Sequence, residues 1–184
     1  MRLKNRILTS ILILLLCASC ILSGCNSQRK SREDSLKHLL ENFSDALSDT
    51  NLCGMEIYAY YKEGPFFTYG PYGVDDLIRE IEAGFRGQGQ KVYIGNEELK
   101  NNIDLLEEIS KQKFIPILES NCRKDIRSCF IFQTNDNSQV LEIAFGGYSS
   151  VEDCAVMFVN GFPVEYDEIY LKLVNTFCPD YDFS

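Results

Sequence analysis

The sequence predicts an α+β domain, an antiparallel meander of about five strands packed with about four helices. Three observations lead there. Apolar residues recur at helical spacing in four separate stretches, apolar and polar residues alternate in the second half of the chain, and Asn160-Gly161 marks a tight hairpin between two short apolar runs. Helices segregated from consecutive strands, rather than a regular strand–helix alternation, make the sheet antiparallel.

The first helix is expected from Ser31 or Ser35 to near Asp49, because Leu36, Leu39, Leu40, Phe43 and Leu47 recur on one stripe with polar residues between them. The turn Ser48–Gly54 closes it, with Gly54 as a late stop. Met55–Lys62 and Phe66–Tyr69 read as a strand hairpin around Glu63-Gly64-Pro65, since aromatic and β-branched residues cluster between turn formers. A second helix follows, with Val74, Leu77, Ile78, Ile81 and Phe85 on one side and Asp75 and Asp76 in its first turn, where negative charge suits the helix dipole. The glycines of Gly84–Gln90 break it. Because that loop follows a helix, it reads as a C-cap and connection rather than a phosphate-cradling turn. Lys91–Ile94 is a short strand, and a third helix is expected to open on Asn96 as N-cap and to bury Leu99, Ile103, Leu106 and Ile109.

In the second half, Phe114–Leu118 contains Pro116, which cannot donate to a ladder and so belongs on an edge. Asp125–Thr134, Gln139–Phe145 and Cys154–Val159 follow as strands, with Asn135–Ser138 turning the first two into a hairpin. Leu141, Ile143 and Phe145 alternate with Val140, Glu142 and Ala144, the period of a half-buried strand. Phe162–Val164 returns after Asn160-Gly161, where a type I′ turn needs positive φ at both positions. A fourth helix carries Tyr166, Ile169, Tyr170, Leu173, Val174 and Phe177 at helical spacing, with Asp167 and Glu168 at its start.

The first 24 residues have a different character. Arg2, Lys4 and Arg6 precede an almost unbroken apolar run from Ile7 to Leu22 with no acidic residue, the layout of a secretory signal. An uncleaved membrane-spanning helix is the alternative, because the run is close to the roughly 17 residues that just span a bilayer. Leu22-Ser23-Gly24-Cys25 resembles the lipobox of bacterial lipoproteins, a resemblance that covers only residues 1–25. It implies cleavage before Cys25, a diacylglyceryl group on the Cys25 thiol, and a chain tethered to the outer face of the cell membrane. Modification at Cys20 is a competing possibility, although Cys17-Ala18-Ser19 lacks the leucine. The expected organisation is therefore a signal over 1–24, an anchor and polar tether over 25–34, and one ectodomain over 35–184. Arg29, Lys30 and Arg32 in the tether would favour anionic lipid headgroups by about 1 kcal/mol each. The later order, with Val159-Asn160-Gly161-Phe162-Pro163-Val164 and the Tyr166–Phe177 helix, is similar to small lipoproteins of Gram-positive bacteria that have no assigned activity.

Charge bounds the partners. The chain has 18 basic and 27 acidic residues; without Arg2, Lys4 and Arg6 the rest stands at 15 against 27, a net −12. Such a surface repels phosphate backbones, so no nucleic acid is expected as a partner. The 160 residues after the signal suit one domain with one core.

Few residues offer chemistry. His38 is the only histidine and sits in the first helix, so a Ser-His-Asp or Cys-His arrangement would have to be built on it. Neither catalytic residues, a metal site nor a cofactor is predicted: a histidine-rich zinc site has too few ligands, and Asp180 and Asp182 lack the glycine and distal glutamate of a calcium loop. Adjacent Asp167 and Glu168 do not suit the paired carboxylates of glycoside cleavage. Apart from Cys25, the ectodomain keeps Cys53, Cys122, Cys129, Cys154 and Cys178. The expected pairs are Cys122 with Cys129, flanking a short loop, and Cys53 with Cys178, at element ends, leaving Cys154 as a buried thiol. A thiol-dependent enzyme would want C-x-x-C, which does not occur after residue 24. Tyr58, Tyr60, Tyr61, Tyr69 and Tyr72 crowd together as a candidate recognition face, against an aromatic core as the alternative. The functional expectation is a lipid-anchored binding module whose partner is an envelope protein or wall polymer. Alternatives are an immunity-type lipoprotein that neutralises a toxin and a thiol-dependent envelope enzyme.

Overall fold

A computed structural model describes residues 27–49, 51–60, 73–84, 89–118, 125–146 and 157–178. Helix α1 covers 27–48, and the other elements run β1 (Leu52–Tyr60), α2 (Val74–Glu82), β2 (Gly89–Gly95), α3 (Asn96–Asn101), α4 (Ile103–Ser110), β3 (Ile126–Thr134), β4 (Gln139–Gly146), β5 (Met157–Val159), β6 (Phe162–Val164) and α5 (Ile169–Phe177). This is an α+β fold with six strands and five helices among the described residues, one strand and one helix more than expected. The sheet order is β2-β1-β3-β4-β5-β6, and every pair is antiparallel.

Strand alternation gives the sheet two apolar faces. On one, Met55, Ile57, Phe130, Phe132, Leu141, Ile143, Met157 and Val159 pack beneath α1, α3, α4 and α5 in the larger core. Phe43 of α1 meets Phe132 edge to face at 5.0 Å between ring centroids, and Tyr170 of α5 stacks on Phe145 at 4.4 Å. On the other face, Tyr58, Tyr60, Ile126, Cys129, Ile131, Ala144 and Phe158 lie beneath α2, through Leu77 with Val74, Ile78 and Ile81, and Ile117 packs against the same cluster. Side chains at successive strand positions point to opposite faces, so one apolar run such as Cys129–Phe132 feeds both cores.

Several expectations are corrected. The expected strand Phe66–Tyr69 lies outside the described residues, and the two edges of β1 are taken by β2 and β3 from Gly54 to Ala59. Gly54 is no stop signal but a strand residue, and the Tyr93 ring from β2 lies over it where a Cβ would stand. Residues 27–34 of the expected polar tether are helical and belong to α1, supported by the Arg29–Glu33 ion pair at 3.2 Å and the Ser35 hydroxyl donating to the Ser31 carbonyl at 2.9 Å. The third helix is two, because the chain breaks at Asn102, whose side-chain amide donates to the Glu98 carbonyl; Gly95, not Asn96, occupies the N-cap.

Phe114–Leu118 makes only one bridge, Pro116 with Val164, flanked by the Ile117 N–H to Pro163 O and Glu165 N–H to Ile115 O bonds, both 2.9 Å. It runs along the β6 edge, as a proline-bearing segment must. The two predicted turns of the second half are present. Asp136 Oδ1 accepts from the Thr134 hydroxyl (2.6 Å) and the Ser138 N–H (3.1 Å), with Asn137 at φ 62°. Asn160 and Gly161 have φ 45° and 75°, the left-handed pair that the β5–β6 hairpin needs.

Candidate functional site

The predicted tyrosine face resolves into a clasp. Glu56, Tyr58 and Tyr60 share the β1 face that α2 covers, and Tyr58 and Tyr60 are only 2% and 6% exposed. The Tyr58 hydroxyl donates to Glu56 Oε2 (3.0 Å) and Glu82 Oε1 (3.1 Å), and the Tyr60 hydroxyl to Glu80 Oε2 (2.8 Å). Lys91, opposite Tyr58 in the β1–β2 register, reaches Glu56 at 2.8 Å and Glu82 at 3.2 Å while its ammonium sits 4.9 Å from the Tyr58 ring centroid. Burial pushes the Tyr58 hydroxyl up to about 12, and the Glu56 carboxylate together with Tyr58 holds Lys91 protonated above the ordinary lysine range. A permanently charged lysine and a protonated tyrosine make poor general bases. The cluster fastens α2 to the sheet. As a recognition face, Tyr58 and Tyr60 are therefore corrected to core residues, and Tyr61, Tyr69 and Tyr72 lie outside the described residues.

Neither expected disulfide is present among the described residues. Cys53, Cys129 and Cys178 are free thiols, and Cys122 and Cys154 lie outside those residues. Cys53 donates to the Thr134 carbonyl at 3.0 Å, while Cys178 is buried in the larger core and Cys129 in the core beneath α2. The sheet separates the last two. Burial raises the Cys178 thiol to about 11 and the Cys129 thiol well above its ordinary value, so both stay protonated and unreactive. His38 is exposed on α1 with Asn42 as its neighbour, at 3.1 Å. Asp167 Oδ1 accepts from the Ile169 N–H at 2.9 Å, a capping contact at the start of α5. Among the described residues no three His, Cys, Asp or Glu side chains converge on a point that could hold a metal.

Two hollows on the helical face remain. A groove of about 520 Å³ lies between α1 and the segment 110–114 over Leu36, Leu40 and Phe114; of the charges that line it, Lys37 pairs with Glu41 and Glu33 with Arg29, while Asp34 and Lys113 make no ion pair with a described residue. A smaller hollow of about 280 Å³ opens where the C-terminal end of α1 meets α3 and α4, lined by Leu47, Leu52, Leu99, Ile103 and Leu106 with Asn96 and Lys100. Ile103, at its edge, is 38% exposed. Asp45 of α1, Asp49 just after it, Glu97 and Glu98 of α3, and Asp104 of α4 are exposed, and none makes an ion pair with a described residue. Lys100 is the charged residue that lines the hollow itself, and the carboxylates sit on the elements that form it; an apolar floor with a polar margin is the anatomy of a protein interface. The volume suits one or two partner side chains better than a drug-sized molecule.

Sequence reasoning placed Leu47, Leu99, Ile103 and Leu106 on buried helix faces but did not bring them together, because α1 and α3 are joined only through the sheet. A concentration of acidic residues over Glu97–Glu108 was the available signal.

No protein-family model, no curated protein and no solved structure matches this chain. Among the described residues no helix is long and apolar enough to cross a membrane.

Proposed function

We propose that this chain is a lipid-anchored protein of the outer face of the cell membrane, acting as a binding module that takes a basic envelope protein at the hollow between α1, α3 and α4. The observation that carries the reading is the apolar hollow over Leu47, Leu52, Leu99, Leu106 and partly exposed Ile103, formed by elements that also carry the exposed carboxylates Asp45, Glu97, Glu98 and Asp104. Unpaired surface charge of one sign steers a partner of the other, and a desolvated apolar centre then holds it. A net −12 over the chain after residue 24 supports the same sign of partner. The anchor rests on Leu22-Ser23-Gly24-Cys25. A toxin-neutralising lipoprotein is one form of this chemistry, because the toxin would be the basic partner.

The test is capture of envelope proteins on the immobilised chain, comparing wild type with Glu97→Lys/Glu98→Lys and with Glu165→Lys on another face. Capture of a basic protein that is lost in the double variant and at high salt, and kept in Glu165→Lys, is expected. Salt-independent retention of wall polymer, unchanged by the double substitution, would overturn the proposal. For the anchor, Cys25→Ser should move the protein out of the membrane fraction, and its full retention there would refute a lipid tether.

A further inference from the structure

We propose that the groove between α1 and the segment 110–114 is a second binding site, separate from the hollow at α3 and α4, which takes a short peptide with both termini free. The ligand class follows from the charges. Asp34 on the α1 wall and Lys113 on the other are both exposed, and they pair neither with each other nor with any other described residue. The other charges that line the groove among the described residues are matched within the protein, Glu33 by Arg29 at 3.2 Å and Lys37 by Glu41 at 3.5 Å. One unmatched anion and one unmatched cation suit a ligand that carries both signs, an ammonium for Asp34 and a carboxylate for Lys113.

The space between the walls selects a peptide over a free amino acid. The groove holds about 520 Å³, within the range of small-molecule sites, whereas the hollow at α3 and α4 holds about 280 Å³. Three extended residues span roughly 10 Å, enough to set one terminus against each wall. Leu36, Leu40 and Phe114 supply the apolar floor on which the peptide side chains lie. Ser44 and Gln112 line the groove as well, are half-buried, and neither side chain hydrogen-bonds to a described residue. A carboxamide offers both a donor and an acceptor, which is what a peptide unit requires.

Both walls are fixed in place by the larger core. Leu36, Leu40 and Phe43 hold α1 there, and Ile109 and Phe114 hold the ends of the opposite wall. Arg32, expected in a loose tether, is half-buried and donates to the Ile117 carbonyl at 2.8 Å and the Leu118 carbonyl at 3.4 Å, fastening α1 to the chain just beyond that wall. A preformed groove spares the complex the cost of ordering a mobile one.

The test titrates the full chain in detergent, by calorimetry, with the tripeptide Leu-Ala-Leu, with its N-acetyl form and with its C-terminal amide. Saturable binding of the free tripeptide is expected, weakened about fivefold by either cap, the upper end of what a solvent-accessible ion pair contributes. Asp34→Asn should abolish the difference between the free and acetylated peptides and keep that between the free and amidated ones. Lys113→Gln should do the reverse, and Asp45→Asn, on α1 outside the groove, should change neither. The proposal is overturned if Leu-Ala-Leu shows no saturable binding, if the capped peptides bind as tightly as the free one, or if the discrimination survives both substitutions. A second copy seated in the groove would also overturn it, seen as a dimer in sedimentation that excess tripeptide leaves intact and Lys113→Glu dissociates.

Discussion

Tyr170→Phe removes one atom from the middle of the larger core, and its consequence can be worked out from the surroundings. The Tyr170 hydroxyl and Ser128 Oγ are 2.6 Å apart, and the two residues are 1% and 0% exposed, so neither hydroxyl has access to solvent. The phenylalanine ring keeps the stacking on Phe145 and the edge contact with Phe130 at 5.9 Å, so the packing is conserved and only the hydroxyl is lost. Ser128 Oγ then has no other side-chain hydrogen bond among the described residues. Stranding a buried hydroxyl costs about 1–3 kcal/mol, whereas removing both partners of such a pair is nearly neutral. Tyr170→Phe should therefore destabilise the domain by about 2 kcal/mol, lowering Tm by roughly 4–8 °C for a domain of this size. Ser128→Ala/Tyr170→Phe should be no less stable than Tyr170→Phe alone, a coupling of about 1 kcal/mol or more. Urea unfolding of the four proteins of the cycle, followed by circular dichroism, measures it. Costs that add, with the double variant at the sum of the two singles, would refute the view that this pair is a mutually satisfied buried hydrogen bond.

Alkaline pH should weaken the fold: burial moves Cys178 from its ordinary value of 9.0 to about 11 and Tyr58 from 10.0 to about 12. Each holds its proton more tightly folded than unfolded, so the stabilisation is complete below pH 9 and is lost as pH rises through 11 to 12. A urea midpoint that stays constant from pH 8 to pH 12 would contradict this. At the β5–β6 turn, Asn160 Oδ1 accepts from the Glu142 N–H at 2.9 Å while its backbone sits at φ 45°. Asn160→Gly should lose about 1 kcal/mol for the bond, and Asn160→Ala about 2 kcal/mol because it adds left-handed strain; equal losses would remove the strain from the account. Gly89→Ala would drive a Cβ into Ile81 Cγ1, pushing α2 off β2 at a cost of about 1–3 kcal/mol in unfolding free energy. Cys129 and Cys178 should resist alkylation until the chain unfolds, as measured by labelling in native buffer against labelling in denaturant, and fast native labelling of either would revive a thiol chemistry.

Much of the fold was legible in local pattern. Helical spacing located α2, α5 and most of α1, alternation located β4, and Asn160-Gly161 located the last hairpin to the residue. Periods of 3.6 and 2 are properties of a few consecutive residues, and a tight turn demands particular φ values at two of them, so the sequence alone determines these features. Composition likewise determines that the chain is acidic, and Leu22-Ser23-Gly24-Cys25 supplies the expectation of an anchor.

Partner choice was decided only by tertiary structure. β1 lies between β2 and β3, the latter about 70 residues further along the chain, since edge pairing depends on which strands the helices leave free. Tyr58 and Tyr60 were ambiguous as long as α2 could lie on either face; once it covers β1, their rings are core and their hydroxyls need Glu56, Glu80 and Glu82. Cys129 and Cys178 ended on opposite sides of the sheet, a separation that one-residue alternation along β3 controls and that spacing in sequence cannot express. Arg32 met the Ile117 carbonyl 85 positions away, and Leu47 met Leu99 and Ile103 at the hollow between α1, α3 and α4. Contacts of that separation depend on the whole packed arrangement, because no local period encodes which surfaces a closed core will bring together.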